Sequence, residues 1–286
     1  MLHPALNGGK KLRGVLLGMV TEVLGGEWQV ALPRAVAVEL IQAATLIHDD
    51  FVDQDRMRRY LPAVWTLEGA RRAVLLGDVI FADAIHMMSE IGADEGRVVS
   101  RAIAEISRGA LMEPCDPLKF MRQMKAGGDG DHYEKIIHLK TGVLFEAACE
   151  LGALSAGADD EVRKQCRFYG SCIGEAYQMA DDIKEIKELL ADGVVHSHEI
   201  ALLAPAILSF ACEARPHILS FLSAGPSQVS GPLRKCMERA ADRMGLEIRH
   251  RLKLAVDQMQ DALREKTHGR LGVEAPAELL GMFDAS

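Results

Sequence analysis

Over its 286 residues the chain carries no sustained apolar/polar alternation; what recurs is apolar spacing of three and four. Half-buried strands need a period of two and helices one of 3.6, so the pattern admits an all-α fold. Ala, Leu, Glu, Arg and Met dominate, aromatic residues are only 5%, and the 49% hydrophobic content supplies a substantial core. Gly25-Gly26, Pro62, Gly92, Pro114 to Pro117, Gly127 to Asp131, Gly157, the histidines near 196, Pro216 and Gly225-Pro226 separate helix-length segments. That punctuation predicts about eight or nine helices. Residues 33–58 and 159–190 are long, apolar on a broad face and free of internal proline, as central bundle helices are. Neither loop composition nor a charge break marks a second domain, so residues 1–286 read as one.

A formal charge of −8 argues against a nucleic-acid binder working through a basic face. Apolar runs such as Ile200 to Cys212 fall short of the roughly 20 residues a membrane span needs, so no transmembrane helix is expected. The start, MLHPALNGGKKLRG, lacks the apolar run of a secretory signal, and a cytoplasmic location is expected. The six cysteines form no CxxC pair, which fits reduced, buried thiols better than zinc ligands or a disulfide framework.

Two acidic runs echo one another. In HDDFVDQD, Asp49 and Asp53 are one helical turn apart with Asp50 between them; in QMADDIKEI, Asp181, Asp182 and Glu185 repeat the spacing. Three carboxylates gathered on one turn repel unless a cation sits among them. Oxygen-only ligands suit Mg²⁺, which usually takes one or two carboxylates and completes its octahedron with waters and substrate phosphates. One such turn alone reads as a solvated helix face; two, each following an apolar run, point to a metal-bridged diphosphate.

Positive charge is clustered too. Lys10, Lys11 and Arg13 follow Gly8-Gly9, and Arg58 and Arg59 fall about two turns after Asp50, on what reads as the same helix. Arginine pairs suit bidentate phosphate contacts.

Taken in order, GGKKLRG (8–14), LIHDDFVDQDRMRR (46–59), LLGD (75–78), LKTG (139–142) and YQMADDIKE (177–185) resemble the all-trans isoprenyl diphosphate synthase, or polyprenyl synthetase, family over roughly the first two-thirds of the chain. The resemblance implies an isoprenoid-synthase-type helical bundle around a deep apolar cavity, usually a homodimer. It implies a prenyltransferase that condenses isopentenyl diphosphate with an allylic diphosphate. By that likeness Asp49, Asp50, Asp53, Asp181, Asp182 and Glu185 hold Mg²⁺. Arg58, Lys140, Thr141 and Gln178 contact the allylic diphosphate or its reacting end, while Lys10, Arg13, Gln42 and Arg59 grip isopentenyl diphosphate.

The residue types suit that chemistry. Cationic groups stabilise charge developing on departing pyrophosphate, and a dry cavity keeps water from an allylic cation.

The sequence also departs from the family. Gln42 stands where a histidine is common, Glu185 replaces an aspartate, and Tyr60-Leu61 replace glycine and lysine after the arginine pair. No lysine occurs between Lys187 and Lys235, where the family has a Gly-Lys after its second motif. His196 and His198 read as solvent-facing rather than as its replacement. Ala44, Thr45 and Ile41 lie below Asp49 on the predicted helix, and the absence of an aromatic among them predicts a product longer than fifteen carbons, geranylgeranyl or longer. The departures keep two other readings open: a silent homologue serving as subunit of a partner synthase, and a prenyltransferase with another acceptor.

Overall fold

The computed structural model describes residues 8–112, 130–191, 193–224 and 227–267. Eleven α-helices occur among them: α1 (Leu12–Val23), α2 (Trp28–Val52), α3 (Val64–Glu68), α4 (Ala70–Ile91), α5 (Ala93–Met112), α6 (Gly130–Ile137), α7 (Val143–Ser155), α8 (Asp160–Ala191), α9 (Ser197–Phe210), α10 (Arg215–Ala224) and α11 (Gly231–Thr267). Between α6 and α7 the chain winds one π-helical turn, His138–Gly142. The all-α expectation holds, with one addition: two-residue strands β1 (Met57–Arg58) and β2 (Leu61–Pro62) form an antiparallel hairpin. The breaks expected at 114–117 and 127–129 lie outside the described residues.

The chain divides into two compact units. One comprises residues 1–105, 143–170 and 259–275, and the other 106–142, 171–258 and 276–286.

In the first unit α2 packs against α1, α4 and α7. It is the one helix among those described that is long and apolar enough to cross a membrane. More than half of its apolar stretch (56%) is buried inside the protein, as befits a core helix. Proline at position 33 is accommodated inside it, so the helix begins earlier than expected, at Trp28. α1 stops where the sequence says it should: Gly25 takes a left-handed conformation, and Gly26 and Gly25 donate back to the Thr21 and Glu22 carbonyls at 2.8 and 2.9 Å. This is the glycine-terminated helix end that returns two orphan carbonyls to bonding. At the other end, the Gly14 amide donates to Glu39 of α2 at 2.8 Å, supplying an acceptor that α1 has no capping side chain to provide.

The second unit contains α6, the π turn, most of α8, α9, α10 and most of α11. α8 matches the predicted 159–190 segment to within one residue at each end. Cys149, Cys166 and Cys236 are buried free thiols, and Cys172 is buried as well; burial pushes Cys166 up to about 12, out of reach of thiolate chemistry at neutral pH.

The first unit also buries an ion pair, Arg34 of α2 with Glu95 of α5 at 2.6 Å, each side chain 10% exposed. Removing one partner leaves a charge without compensation. Glu95→Leu is therefore expected to cost about 3–5 kcal/mol in urea unfolding, and adding Arg34→Met is expected to restore most of it.

Candidate active site

The first acidic motif ends α2. Its three carboxylates differ sharply in setting: Asp49 is half-buried, Asp50 is 3% exposed, and Asp53, the residue that closes the helix, is exposed. Asp50 does not share a spot with its neighbours; its buried carboxylate pairs with the partly exposed Arg58. Burial raises the pKa of Asp50, and the Arg58 guanidinium opposes the shift.

Arg58 and Arg59 are not on α2, which corrects the reading of one helix through residue 58. The helix stops at Val52, Gln54 turns left-handed, and the arginines belong to the β1–β2 hairpin. The Trp65 indole donates to the Asp55 carbonyl at 2.6 Å and stacks edge-on to Phe51, 6.2 Å between centroids, fixing the loop. The hairpin turns on Arg59 and Tyr60, both left-handed (φ 51° and 64°), the pair of conformations a two-residue turn demands and that Asn-Gly normally fills. Tyr60 is 98% exposed, so no packing of its ring offsets that backbone.

This turn carries Arg59 to the amino-terminal loop. The Arg59 guanidinium lies against the backbone of Gly9, where a Cβ would stand 2.6 Å from its nitrogen, and the left-handed φ of 82° at Gly9 is one that glycine adopts without strain. Exposed Lys10 follows directly, and Arg13 lies over the Phe145 ring, 4.4 Å from its centroid. Thus the Gly-Gly-Lys-Lys loop and the second arginine of the pair, 50 residues apart in sequence, meet in space.

Along α2, half-buried Thr45 lies one turn below Asp49 and donates to the Gln42 carbonyl at 2.8 Å. Ile41 is fully buried. Ala44 belongs to a packed cluster with Ile47, Val64, Ala73 and Ile80. His48, which the sequence reading passed over, rests on Gly77 of the LLGD motif, with Nε2 3.0 Å from the Val74 carbonyl oxygen and 3.6 Å from Asp78. The signal was its place directly before Asp49.

In the second unit, the second motif repeats the gradation on α8. Asp181 is half-buried, Asp182 is 8% exposed, and Glu185 is exposed. Asp182 accepts from the Tyr133 hydroxyl at 2.5 Å and from Gln178 Nε2 at 3.0 Å; Gln178 Oε1 accepts from the Thr141 hydroxyl at 2.7 Å. Burial raises the Asp182 pKa against those two hydrogen bonds. Desolvation and the charges of Asp182 and Asp181 push Glu185 up to about 6, with Lys140 opposing. Lys140 and Thr141 both sit in the π turn, a form of helix found disproportionately at functional sites. His196 and His198 are solvent-exposed at the start of α9, where Glu199 accepts from the His196 amide at 2.7 Å.

Residues 1–189 match the polyprenyl synthetase family model. The chain belongs to that family. A geranylgeranyl diphosphate synthase of Methanosarcina mazei is 36% identical over 185 residues, covering 63% of this chain and 55% of that protein. The chain thus spans little more than half the length of the relatives it matches in sequence. Among solved structures, a geranylgeranyl pyrophosphate synthetase from the archaeon Geoglobus acetivorans superposes with a TM-score of 0.74 at 26% identity, over 97% of this chain and 87% of that one. A polyprenyl synthase from Caulobacter crescentus, solved with calcium and isoprenyl diphosphate, gives 0.70 at 27%, over 98% and 85%.

In this polyprenyl synthetase family member the donors fit a divalent cation of the Mg²⁺ type. Among the described residues no three His, Cys, Asp or Glu side chains converge tightly enough to hold a metal by themselves. Mg²⁺ does not require it, since water and phosphate complete its shell. Burial first, and then the charges of Asp182 and Asp181, raise the Glu185 pKa, and a nearby divalent cation would oppose that shift.

Behind the π turn, Glu175 of α8 lies 3.0 Å from His138 Nδ1, accepts from Ser171 at 2.9 Å, and pairs with Arg251 of α11. Burial would raise its pKa, but His138, Arg251 and Ser171 together hold it below the usual 4.5. A group whose folded pKa is depressed stabilises fully above its unfolded value and loses that contribution as pH falls through the folded one. Unfolding measured from pH 6 downward should therefore fall more steeply below about 4.5 in the native protein than in Glu175→Gln.

Proposed function

We propose that the protein is a Mg²⁺-dependent trans-prenyltransferase that joins isopentenyl diphosphate to an allylic diphosphate. In this reading residues 1–286 form one domain and the working assembly is a homodimer. The observation that carries it is the matched gradation of the two acidic motifs. In each, the middle carboxylate is buried and held by protein donors, while its neighbours one turn apart, Asp49 with Asp53 and Asp181 with Glu185, remain less buried. Calcium and isoprenyl diphosphate in the Caulobacter relative support a cation and a diphosphate as the natural occupants.

In the reaction the allylic C–O bond breaks, pyrophosphate departs, the alkene of isopentenyl diphosphate attacks the allylic cation, and a proton then leaves to pyrophosphate. The bound metal supplies positive charge to the leaving group. Lys140 adds a cation beside the second motif, where it already lowers the Asp182 and Glu185 pKa values. The Thr141 proton is committed to Gln178, so its oxygen offers lone pairs to an electron-poor carbon rather than a donor to phosphate. Arg59, brought against the amino-terminal loop, Lys10 on that loop and Arg13 in the first turn of α1 take the diphosphate of the second substrate. Arg58 acts by holding Asp50 and thereby the hairpin.

The product is longer than fifteen carbons, because neither Ala44 nor Thr45 is aromatic. Ala44 is committed to packing with Val64 and Ala73, which leaves Thr45, on the face of Asp49, as the position where bulk would limit the chain. A silent subunit or an altered acceptor is the second reading, favoured by strained Tyr60 and the lysine-free stretch after Lys187.

The test is incubation with Mg²⁺, labelled isopentenyl diphosphate and allylic diphosphates of increasing length, followed by product sizing. Elongation is expected, lowered at least about a hundredfold in Asp49→Ala and Asp181→Ala, with a shorter product from Thr45→Phe. No incorporation by the native protein with any allylic partner would sink the synthase reading in favour of the second.

A further inference from the structure

Glu175, Gln178 and Asp182 fall at i, i+3 and i+7 of α8, on one face, and each meets the α6–π segment: His138, Thr141 and Tyr133 respectively. Tyr133, like His138 and Glu175, lies outside the sequence motifs. It is 3% exposed, precedes Lys140 by seven residues, and is backed by Phe210 (6.0 Å between ring centroids, edge-on) and by the Met244 sulfur, 3.8 Å from its hydroxyl.

The direction of the hydrogen bonds follows from Asp182. A carboxylate only accepts, so the Gln178 amide must present its NH₂ group to Oδ1. The amide oxygen is then turned toward Thr141, whose hydroxyl has to donate. Tyr133 occupies Oδ2 with a donor, so the two Asp182 oxygens each hold a hydrogen bond from the protein. Without the phenol, Asp182 keeps one donor and is free to turn, so the place of the oxygen that Gln178 meets, and with it the orientation of the Gln178 amide, is no longer held.

We propose that Tyr133 is a positioning residue: by anchoring buried Asp182 it holds the Asp182–Gln178–Thr141 chain in place, and so the way the π turn presents the Thr141 oxygen. Asp182 serves in this arrangement as the anchor of the chain and not as a ligand reaching out to metal. The proposal rests on the prenyltransferase reading for its consequence in catalysis, but the coupling itself is a property of the fold and is measurable without substrate.

The experiment compares the full-length native chain with Tyr133→Phe, Asp182→Asn, Thr141→Val and the Tyr133→Phe/Thr141→Val double variant. In the first arm, methyl-labelled threonine is followed by NMR. The Thr141 methyl resonance should shift in Tyr133→Phe and in Asp182→Asn, while that of Thr21, bonded to the Leu17 and Gly152 carbonyls in the other unit, stays put. An unmoved Thr141 resonance in both variants overturns the proposal, whatever the activity. In the second arm, elongation kinetics should show kcat about tenfold lower in Tyr133→Phe with KM for isopentenyl diphosphate unchanged, the size expected for losing one hydrogen bond to a charged group. The double variant should be no slower than Thr141→Val alone. Additive losses overturn the proposal. Absence of elongation by the native protein refutes the prenyltransferase reading and leaves the NMR arm to decide the coupling. Tyr133→Phe removes one oxygen without changing shape; should it fail to fold, Asp182→Asn carries the same NMR criterion.

Discussion

A carboxylate taken out of water has to be supplied with hydrogen-bond donors, and two such carboxylates organise this protein. Asp50 draws in Arg58, and with it the hairpin that bends away from the end of α2. Asp182 draws in Tyr133 and Gln178, and with them the π turn that carries Lys140 and Thr141. Each buried acid sits beside a half-buried one and one turn before an exposed one. The buried member therefore does mechanical work for its neighbours: it fixes the rotation of the helix at that turn, and that rotation decides where Asp49 and Asp181 project.

The same logic separates the two arginines of the pair. Arg58 is spent on Asp50, while Arg59, one residue on, is carried by a left-handed turn to the Gly8-Gly9 loop. An α-helix through residue 58 would have set the two guanidiniums about 100° apart on one cylinder. A two-residue hairpin sends them to different tasks, one structural and one at the loop. The turn does this without glycine or asparagine at Tyr60, so the hairpin pairing and the Asp50–Arg58 bond must outweigh a conformation that costs of order 1–2 kcal/mol per residue.

Much of this was legible in the residues. The helical period places α8 to within a residue, because a 32-residue amphipathic segment bounded by Asp160 and a polar loop offers no competing pattern. The spacing of the acidic motifs was equally plain. What spacing does not reveal is which acid turns inward, since Asp49 and Asp50 are identical in type and differ only in what lies beneath them. The end of α2 was misread for a similar reason: Gln54, Arg59 and Tyr60 are not turn residues by type, and the left-handed conformations they adopt come from tertiary pairing. Tyr133 was invisible because at helical spacing from Lys140 it reads as an ordinary apolar position of α6, and the π turn that gives it meaning has no sequence signature.

The segment after the second motif bears on charge balance. It has no lysine from Glu188 to Arg234, and the structure uses what it has for scaffolding. Arg234 donates to the Leu190 carbonyl at 2.7 Å, closing the end of α8, and Val195 bridges to Ser227. Among the described residues, Lys140 is the cation whose charge acts on both Asp182 and Glu185. Burial, together with the charges of Asp182 and Asp181 and against the single ammonium of Lys140, pushes Glu185 up to about 6. A divalent cation bound beside these carboxylates would favour their charged forms, so cation binding near or below pH 6 should be accompanied by proton release. With no lysine in that stretch, the cationic charge acting on Asp182 and Glu185 comes from Lys140.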